Sequence, residues 1–157
     1  MGQKILFHKI IATGFGSGYF PIAPGTAGAA LATIIWYVVS IFVSPCVLII
    51  TTAALIALFT VVGIWSTNKV EPIWGEDPSR VVIDEMVGVW IALLAAVPDK
   101  FYYPLAAFVL FRLFDIYKPL GIRRMESLKG GLGVMMDDVL AGVYSLLLLL
   151  GLRWLIG

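Results

Sequence analysis

The sequence contains little charge and almost none of the residues that form disulfides or bind soft metals. Charged residues make up 13% of the 157 positions, and the formal net charge is +1. Because the basic residues are spread along the chain and are not interleaved with aromatics in one patch, a nucleic-acid partner is not expected. The lone Cys46 cannot form an intrachain disulfide, and it is typical of a small apolar residue at a helix start. The lone His8 leaves no histidine pair for catalysis, so we expect it to be an interfacial side chain.

The chain also lacks any feature that would divide it. It contains no Ser/Pro-rich linker, charge run, low-complexity tract or internal repeat, which predicts a single domain over residues 1–157. Hydrophobic residues, in contrast, make up 61% of the sequence, and the mean hydropathy of +0.98 lies well above the range of soluble globular proteins. We therefore predict a membrane protein. No long apolar run with a small-residue cleavage site follows the N-terminus, so a removed signal peptide is not expected.

Five apolar runs predict where the chain crosses the bilayer. They cover residues 27–43, 46–66, 86–97, 101–114 and 139–156. The third and fourth runs are short, so they either recruit flanking residues or form a hairpin that penetrates without fully spanning. We predict an all-α fold, a polytopic membrane helix bundle of four or five transmembrane or re-entrant helices.

The basic residues predict the orientation of this bundle, because cytoplasmic loops retain Lys and Arg. If the N-terminus is inside and all five segments span, the cytoplasmic basic residues are Lys4, Lys9, Lys69, Arg80, Arg112, Lys118, Arg123, Arg124 and Lys129. Lys100 and Arg153 then lie outside, and among the acidic residues only Asp99 does. We expect the polar chemistry at the cytoplasmic face.

Three groups of carboxylates stand where a loop meets an apolar helix. They are Asp84 with Glu85, then Asp115, then Asp137 with Asp138. Exposing each one to hydrocarbon costs about 2.5–3.5 kcal/mol, so they should face the bundle interior or the headgroup layer. Acidic residues in a first helical turn also stabilise the helix alone, which is the simpler interpretation. If the groups converge, their repulsion requires a cation, and an all-oxygen ligand set favours Mg²⁺ first, or manganese, over zinc.

The stretch GFGSGYFPIAPGTAG, residues 14–28, stands just before the first apolar run. Backbone N–H groups in such a turn can bind an anion such as phosphate. A tight re-entrant turn that inserts the first helix explains the stretch equally well. If it binds phosphate, the candidate residues are Gly16, Ser17, Gly18 and Thr26.

Three basic residues are further candidates for contact with a phosphate. Lys129 opens the stretch KGGLG, which is either a phosphate contact or a flexible approach to Asp137. Arg112, Asp115 and Lys118 follow one another at spacings of three, which places them on one helix face. That face is either a salt-bridged membrane boundary or the place where Arg112 and Lys118 contact substrate.

Four motifs spread over nearly the whole chain carry a family resemblance. In order, they are GFGSGYFPIAPGT, VVIDEMVGVW, FRLFDIYKP and GGLGVMMDDVLAG. Together they resemble the phosphatidylglycerophosphatase A family, Mg²⁺-dependent phosphatases of the bacterial inner membrane. The resemblance implies hydrolysis of phosphatidylglycerophosphate to phosphatidylglycerol and phosphate, by a multi-pass protein whose active site faces the cytoplasm.

For an enzyme of this kind, the acidic residues take defined roles. Asp84, Glu85, Asp137 and Asp138 are expected to bind one or two Mg²⁺, while Asp115 helps to ligate or orient. The phosphorus is attacked either by water activated at the metal or by one of the same carboxylates, through an aspartyl-phosphate.

Two other classes of protein stay open on the sequence alone. A small ion or solute transporter would use intramembrane carboxylates, although here the acids lie at helix ends rather than near mid-span. A structural subunit would use its charges to assemble a larger complex. The sequence does not predict an oligomeric state.

Small residues distinguish the two acids of each adjacent pair. Gly88 follows Asp84 at i+4, and Gly142 follows Asp138 at i+4, which places both acids above faces where helices can pack closely. For a helix that begins near Asp137, we therefore predict that Asp84 and Asp138 point into a shared site. Glu85 and Asp137 are expected to complete it from the sides.

Overall fold

The structure, a computed structural model, describes residues 2–157, and these residues form helices without strands. The α-helices are α1 (Gly2–Ala12), α2 (Pro24–Phe42), α3 (Pro45–Trp74), α4 (Ile83–Leu93), α5 (Tyr102–Tyr117) and α6 (Gly130–Ile156). Two 3₁₀ helices, Ser17–Tyr19 and Ile122–Ser127, lie in the connections. The predicted all-α class is confirmed.

Three helices of the described chain, α2, α3 and α6, are long and apolar enough to cross a membrane. Each presents exposed aliphatic side chains, such as Ile34 on α2, Ile50 on α3 and Leu147 on α6. Helices α4 and α5 have 11 and 16 residues, fewer than the ~20 that a full crossing needs. A count of four or five crossings therefore stays a prediction.

Helix α4 lies at the centre of the bundle, because every one of its residues except Glu85 is buried. It contacts α2, α3, α5 and most extensively α6. Gly88 lies close to both α5 and α6, since a Cβ on Gly88 would meet the Phe111 ring and lie 2.8 Å from the Asp138 carbonyl oxygen. A Cβ on Gly142 would in turn meet the Gly88 carbonyl and lie 3.0 Å from Ile91 Cβ. The expected close packing at these two glycines is confirmed.

Helix α6 begins earlier, and α3 ends later, than the apolar pattern predicts. Asn68 of α3 accepts a hydrogen bond from the Gly131 N–H at 2.7 Å, so one polar side chain satisfies a free donor in the first turn of α6. Because α6 begins at Gly130, the expectation that it begins near Asp137 was wrong, and of the two interpretations of KGGLG the flexible approach does not hold. The apolar pattern marks only the part of a helix that faces lipid or core, not its polar end.

The bundle has two chemically different ends. At one end, the start of α4, the end of α5 and the early part of α6 bring Asp84, Asp115 and Asp138 together. At the other end, Arg153 near the end of α6 donates to the carbonyl of Ala95 at 2.8 Å. The α4–α5 turn therefore lies at the same end of the bundle as the C-terminus of α6, far from the acidic residues.

Candidate active site

Three carboxylates from two helices form the centre of the candidate site. Asp84 and Glu85 lie in the first turn of α4, and Asp138 lies about two turns into α6. One oxygen from each of the three side chains lies within 4.8 Å of the others. We call Asp84, Glu85 and Asp138 the acidic centre.

The acidic centre is buried, and part of its hydrogen-bonding capacity is unused. Asp84 is 6% exposed and Asp138 is 1% exposed. Within residues 2–157, Asp84 Oδ1, Glu85 Oε2 and Asp138 Oδ1 have no hydrogen-bond partner. Buried carboxylate oxygens are costly when unpaired, so this arrangement fits a cation, and its all-oxygen chemistry fits Mg²⁺.

Glycines at two helix contacts make room for this centre. A Cβ on Gly25, in the first turn of α2, would lie 2.6 Å from Glu85 Oε1 and 3.4 Å from Arg112 Nη1. Gly88 allows Asp138 to approach α4, as described above. Larger residues at these positions would push α2 or α6 away from the carboxylates.

Asp137 lies beside the acidic centre, and both of its carboxylate oxygens already accept hydrogen bonds. Its Oδ2 accepts a hydrogen bond from Lys118 Nζ at 2.7 Å, and its Oδ1 accepts one from the Asp138 backbone N–H at 2.9 Å. Lys118 also lies 3.5 Å from Asp115 and 3.8 Å from Glu126. Burial alone would lower the pKa of Lys118, but the hydrogen bond and the charge of Asp137, followed by Asp115, raise it above its ordinary value. Lys118 therefore remains a cation that holds carboxylates in place.

Arg112 and Asp115 form an ion pair along α5. This pair supports the interpretation of a salt-bridged boundary, and it also directs the guanidinium toward the acidic centre, since Nη1 borders Gly25 beside Glu85. The buried Nε of Arg112 has no hydrogen-bond partner in the described part of the chain. An anionic ligand at the acidic centre would have this cation as a neighbour.

A cavity of about 640 Å³ opens beside Asp137. Its charged lining residues are Glu71, Glu76, Asp77, Glu126, Lys129 and Asp137. Lys129, one of the predicted phosphate contacts, is exposed on the wall of this cavity. It therefore lies at the entrance of the cavity and not in the acidic centre. Water and a polar headgroup can reach Asp137 from this side.

The glycine-rich stretch packs against the segment that precedes α4. Ser17 donates its hydroxyl to the carbonyls of Thr13 and Gly14, and Gly18 lies against the Arg80 carbonyl. Gly16 is exposed and adopts a φ of 95°, which only glycine adopts without strain. The contacts of Ser17 and Gly18 are those of a tight turn that positions α4.

Thr26 follows Gly25 at the start of α2 and is half-buried. Its neighbour Gly25 is the residue of this stretch that borders Glu85, so the first turn of α2 is the part of the stretch nearest the acidic centre. The roles of Gly25 and Asn68 were not predicted from the sequence. Gly25 could have been noticed because it directly follows the N1 proline of α2. Asn68 could have been noticed because it is a single Asn beyond an apolar run.

His8 is largely buried between α1 and α3 and borders a groove there, rather than standing free at the surface. Its side chain is 7% exposed, and its Nδ1 lies 3.0 Å from Ser66 Oγ on α3. The partner lies 58 positions away in sequence, so no local pattern around His8 could indicate it.

The chain matches the family model described as Phosphatidylglycerophosphatase A over residues 10–153. A Bacteroides thetaiotaomicron protein with the provisional name phosphatidylinositol-3-phosphatase is 64% identical over 151 residues, which cover 94% of each chain. An Escherichia coli protein named phosphatidylglycerophosphatase A is 35% identical over 152 residues, 94% of this chain and 86% of the relative. A Haemophilus influenzae protein of the same name is 38% identical over 148 residues, covering 92% and 88%. No solved structure matches the chain significantly.

Proposed function

Because the chain belongs to the phosphatidylglycerophosphatase A family and is therefore a phosphatase, we propose that it hydrolyses phosphatidylglycerophosphate to phosphatidylglycerol and phosphate. We propose further that it requires Mg²⁺ and acts at the cytoplasmic face of the inner membrane. The observation that carries the metal requirement is the group of buried oxygens of Asp84, Glu85 and Asp138 within 4.8 Å of one another. Family membership also supports an enzyme over the transporter and structural-subunit alternatives.

Asp84, Glu85 and Asp138 would hold the Mg²⁺. Bound there, the ion supplies positive charge that neutralises the carboxylates and polarises a phosphate ester. Asp137, whose oxygens are engaged by Lys118 and by a backbone N–H, is assigned to the edge of the site rather than to its centre. This assignment narrows the four-residue ligand set expected from the sequence.

Arg112 and Lys118 take different roles in this proposal. Arg112 borders the acidic centre beside Gly25, so its guanidinium can stabilise negative charge on the phosphoryl group in the transition state. Asp115 orients Arg112 through their ion pair. Lys118 is already bound to carboxylates, so we assign it to positioning Asp137 and not to substrate.

The nucleophile in this proposal is water. Asp137 is the one of the predicted site carboxylates that lines the large cavity, so it can orient water that enters from this side and accept its proton at Oδ2. An acid-quenched single turnover with substrate labelled on the phosphate should leave no label on the protein. Label retained on the protein would instead establish the aspartyl-phosphate route.

The proposed orientation rests on the distribution of basic residues between the two ends. Lys118 and Arg112 lie at the acidic end, whereas Arg153 contacts the α4–α5 turn at the opposite end. In a Cys46→Ser background, Arg124→Cys should be labelled by an impermeant thiol reagent only after the inner membrane is opened. Lys100→Cys should be labelled in intact spheroplasts, and the reverse pattern would invert the orientation.

Phosphatidylinositol 3-phosphate is the second candidate substrate, because the Bacteroides relative is named for it. Both lipids carry a phosphomonoester on a polar headgroup, which the same acidic centre could bind. Purified full-length protein should be assayed for phosphate release from both lipids, from phosphatidate and from isoprenyl phosphates, with and without EDTA.

We expect the highest kcat/KM with phosphatidylglycerophosphate and loss of turnover with every substrate after chelation. A higher kcat/KM with phosphatidylinositol 3-phosphate would reassign the substrate while leaving the metal site intact. Undiminished turnover after thorough chelation would reject the metal.

A further inference from the structure

We propose that a groove between α1 and α3 binds the headgroup of an anionic phospholipid, at a site separate from the acidic centre. The groove has a volume of about 400 Å³ and is lined by Gln3, Lys4, Phe7, His8 and Trp65. This volume is within the range of small-ligand sites. None of these residues belongs to the acidic centre, and the lining contains a cation but no carboxylate.

His8 supplies a buried polar group for this groove. The bond between Ser66 Oγ and His8 Nδ1 occupies one ring nitrogen, while Nε2 has no hydrogen-bond partner among residues 2–157. If the Ser66 hydroxyl donates to Nδ1, Nε2 carries the proton and can donate to a phosphodiester oxygen in the groove. Burial and the nearby charge of Lys69 lower the pKa of His8, which keeps the ring neutral at pH 7.

The charges around the groove complement an anion. Lys4 is exposed on the groove wall, and Lys69 lies close enough to act on His8. Each basic residue near an anionic membrane surface contributes about a fivefold gain in affinity. One cation and one N–H donor in the groove, with the charge of Lys69 nearby, are suited to a single phosphodiester.

The surroundings of the groove indicate a lipid rather than free phosphate. Helix α1 is too short to span a membrane, and its Leu6, Phe7 and Ile10 are 56%, 47% and 44% exposed. The proposal places this helix in the membrane interface, with these exposed apolar side chains toward the acyl region. Trp65 is 52% exposed and lies about 30 Å along α3 from Pro45, which is the thickness of the hydrocarbon core. Aromatic side chains at this depth contact headgroups.

Native mass spectrometry of the full-length protein in detergent tests the proposal. The probes are phosphatidylserine and phosphatidylcholine with identical acyl chains, and the readout is occupancy by the first bound lipid. Wild-type protein should retain phosphatidylserine over phosphatidylcholine. Lys4→Gln should weaken retention of phosphatidylserine about fivefold, and Lys4→Glu should weaken it further.

Two further variants and a competitor complete the test. Lys100→Gln, an exposed lysine in the α4–α5 turn, should retain phosphatidylserine as the wild type does. His8→Phe keeps an aromatic ring but removes the donor, so it should lose the preference while retaining its melting temperature within a few degrees. Wild-type retention by Lys4→Glu would overturn the proposal, as would displacement of the lipid by excess inorganic phosphate, which would identify a site for free phosphate.

Discussion

The acidic centre carries negative charge in a buried site. The basic side chains of α1 and of the segment before α4 carry positive charge nearer the surface, beside Trp74 of α3. Asp84 and Asp138 are almost fully buried, and they approach other acidic side chains. On the basic surface, Lys9 and Arg80 each lie 5.7 Å from the ring centre of Trp74. We call Lys9, Arg80 and Trp74 the basic–aromatic face.

Burial determines what each set of charges can do. Carboxylates removed from water interact strongly with one another and with any cation among them. Beside Trp74, the exposed Arg80 and the half-buried Lys9 interact more weakly with the rest of the protein and remain able to meet an anionic surface. The acidic centre is therefore suited to chemistry, and the basic–aromatic face is suited to attachment to an anionic surface.

The net charge of +1 conceals this separation. The sequence gives no sign that Lys9 and Arg80 lie beside the same aromatic ring. They belong to α1 and to the segment before α4, and only the packing of α1 on α3 places both beside Trp74.

Asp138→Asn should have the largest effect of these substitutions, and the effect is on kcat. It removes a charged ligand from the acidic centre while preserving shape, so kcat should fall about a thousandfold, equivalent to ~4 kcal/mol. Phosphate release from phosphatidylglycerophosphate at saturating Mg²⁺ measures this. Asp99→Asn, an exposed acid in the α4–α5 turn, is the matched control and should retain wild-type kcat. Near-normal turnover of Asp138→Asn would reduce the acidic centre to helix-stabilising charges.

The ion pair between Lys118 and Asp137 predicts the next largest effect. Lys118→Gln should lower kcat about thirtyfold, since loss of a charge-assisted hydrogen bond costs ~2 kcal/mol. Asp137→Asn should lower kcat further, because it also removes the proposed proton acceptor. Because Lys118 acts through Asp137, the double variant should be little worse than Asp137→Asn alone. Multiplied effects in the double variant would show that Lys118 acts independently, for example on substrate.

The carboxylates of this site could be predicted from the sequence, but the different roles of Asp137 and Asp138 could not. The spacing of Asp84 to Gly88 and of Asp138 to Gly142 correctly indicated which acids lie above the close helix contact. The turn of Asp137 toward Lys118 could not be predicted, because it depends on where α5 ends relative to α6.

The fold shows the same limit. Apolar runs located α2 to α6 but not α1, and they placed the start of α6 too late. That start depends on Asn68, a residue of another helix. Local sequence patterns do not record such long-range hydrogen bonds.

Gly142→Ala should have a smaller effect that is structural in origin. The added Cβ meets the Gly88 carbonyl and Ile91 at the α4–α6 contact, so we expect a destabilisation of about 1–3 kcal/mol. Thermal unfolding in detergent measures this, and activity should fall with stability. Gly151→Ala, on the same helix with no atom within 4 Å of the new Cβ, should be neutral or slightly stabilising. Equal melting temperatures for the two variants would contradict the close packing.

Lys9→Gln should produce the smallest effect. It removes a cation from Trp74, and such interactions contribute about 0.5–1 kcal/mol at exposed sites. We expect a slight decrease in melting temperature in detergent, and Lys100→Gln should show none. A decrease as large as that of Gly142→Ala would mean that the basic–aromatic face is part of the packed structure.

The assignment of the acidic centre as a metal site is tested most directly by titrating the detergent-solubilised protein with Mn²⁺. Binding is followed by electron paramagnetic resonance. Manganese accepts the same oxygen ligands as Mg²⁺, and its binding can be observed without turnover. We expect saturable binding to the wild type, competition by Mg²⁺, strongly weakened binding in Asp84→Asn and Asp138→Asn, and retained binding in Asp137→Asn. Wild-type affinity for Mn²⁺ in both Asp84→Asn and Asp138→Asn would contradict the assignment of the acidic centre as the metal site.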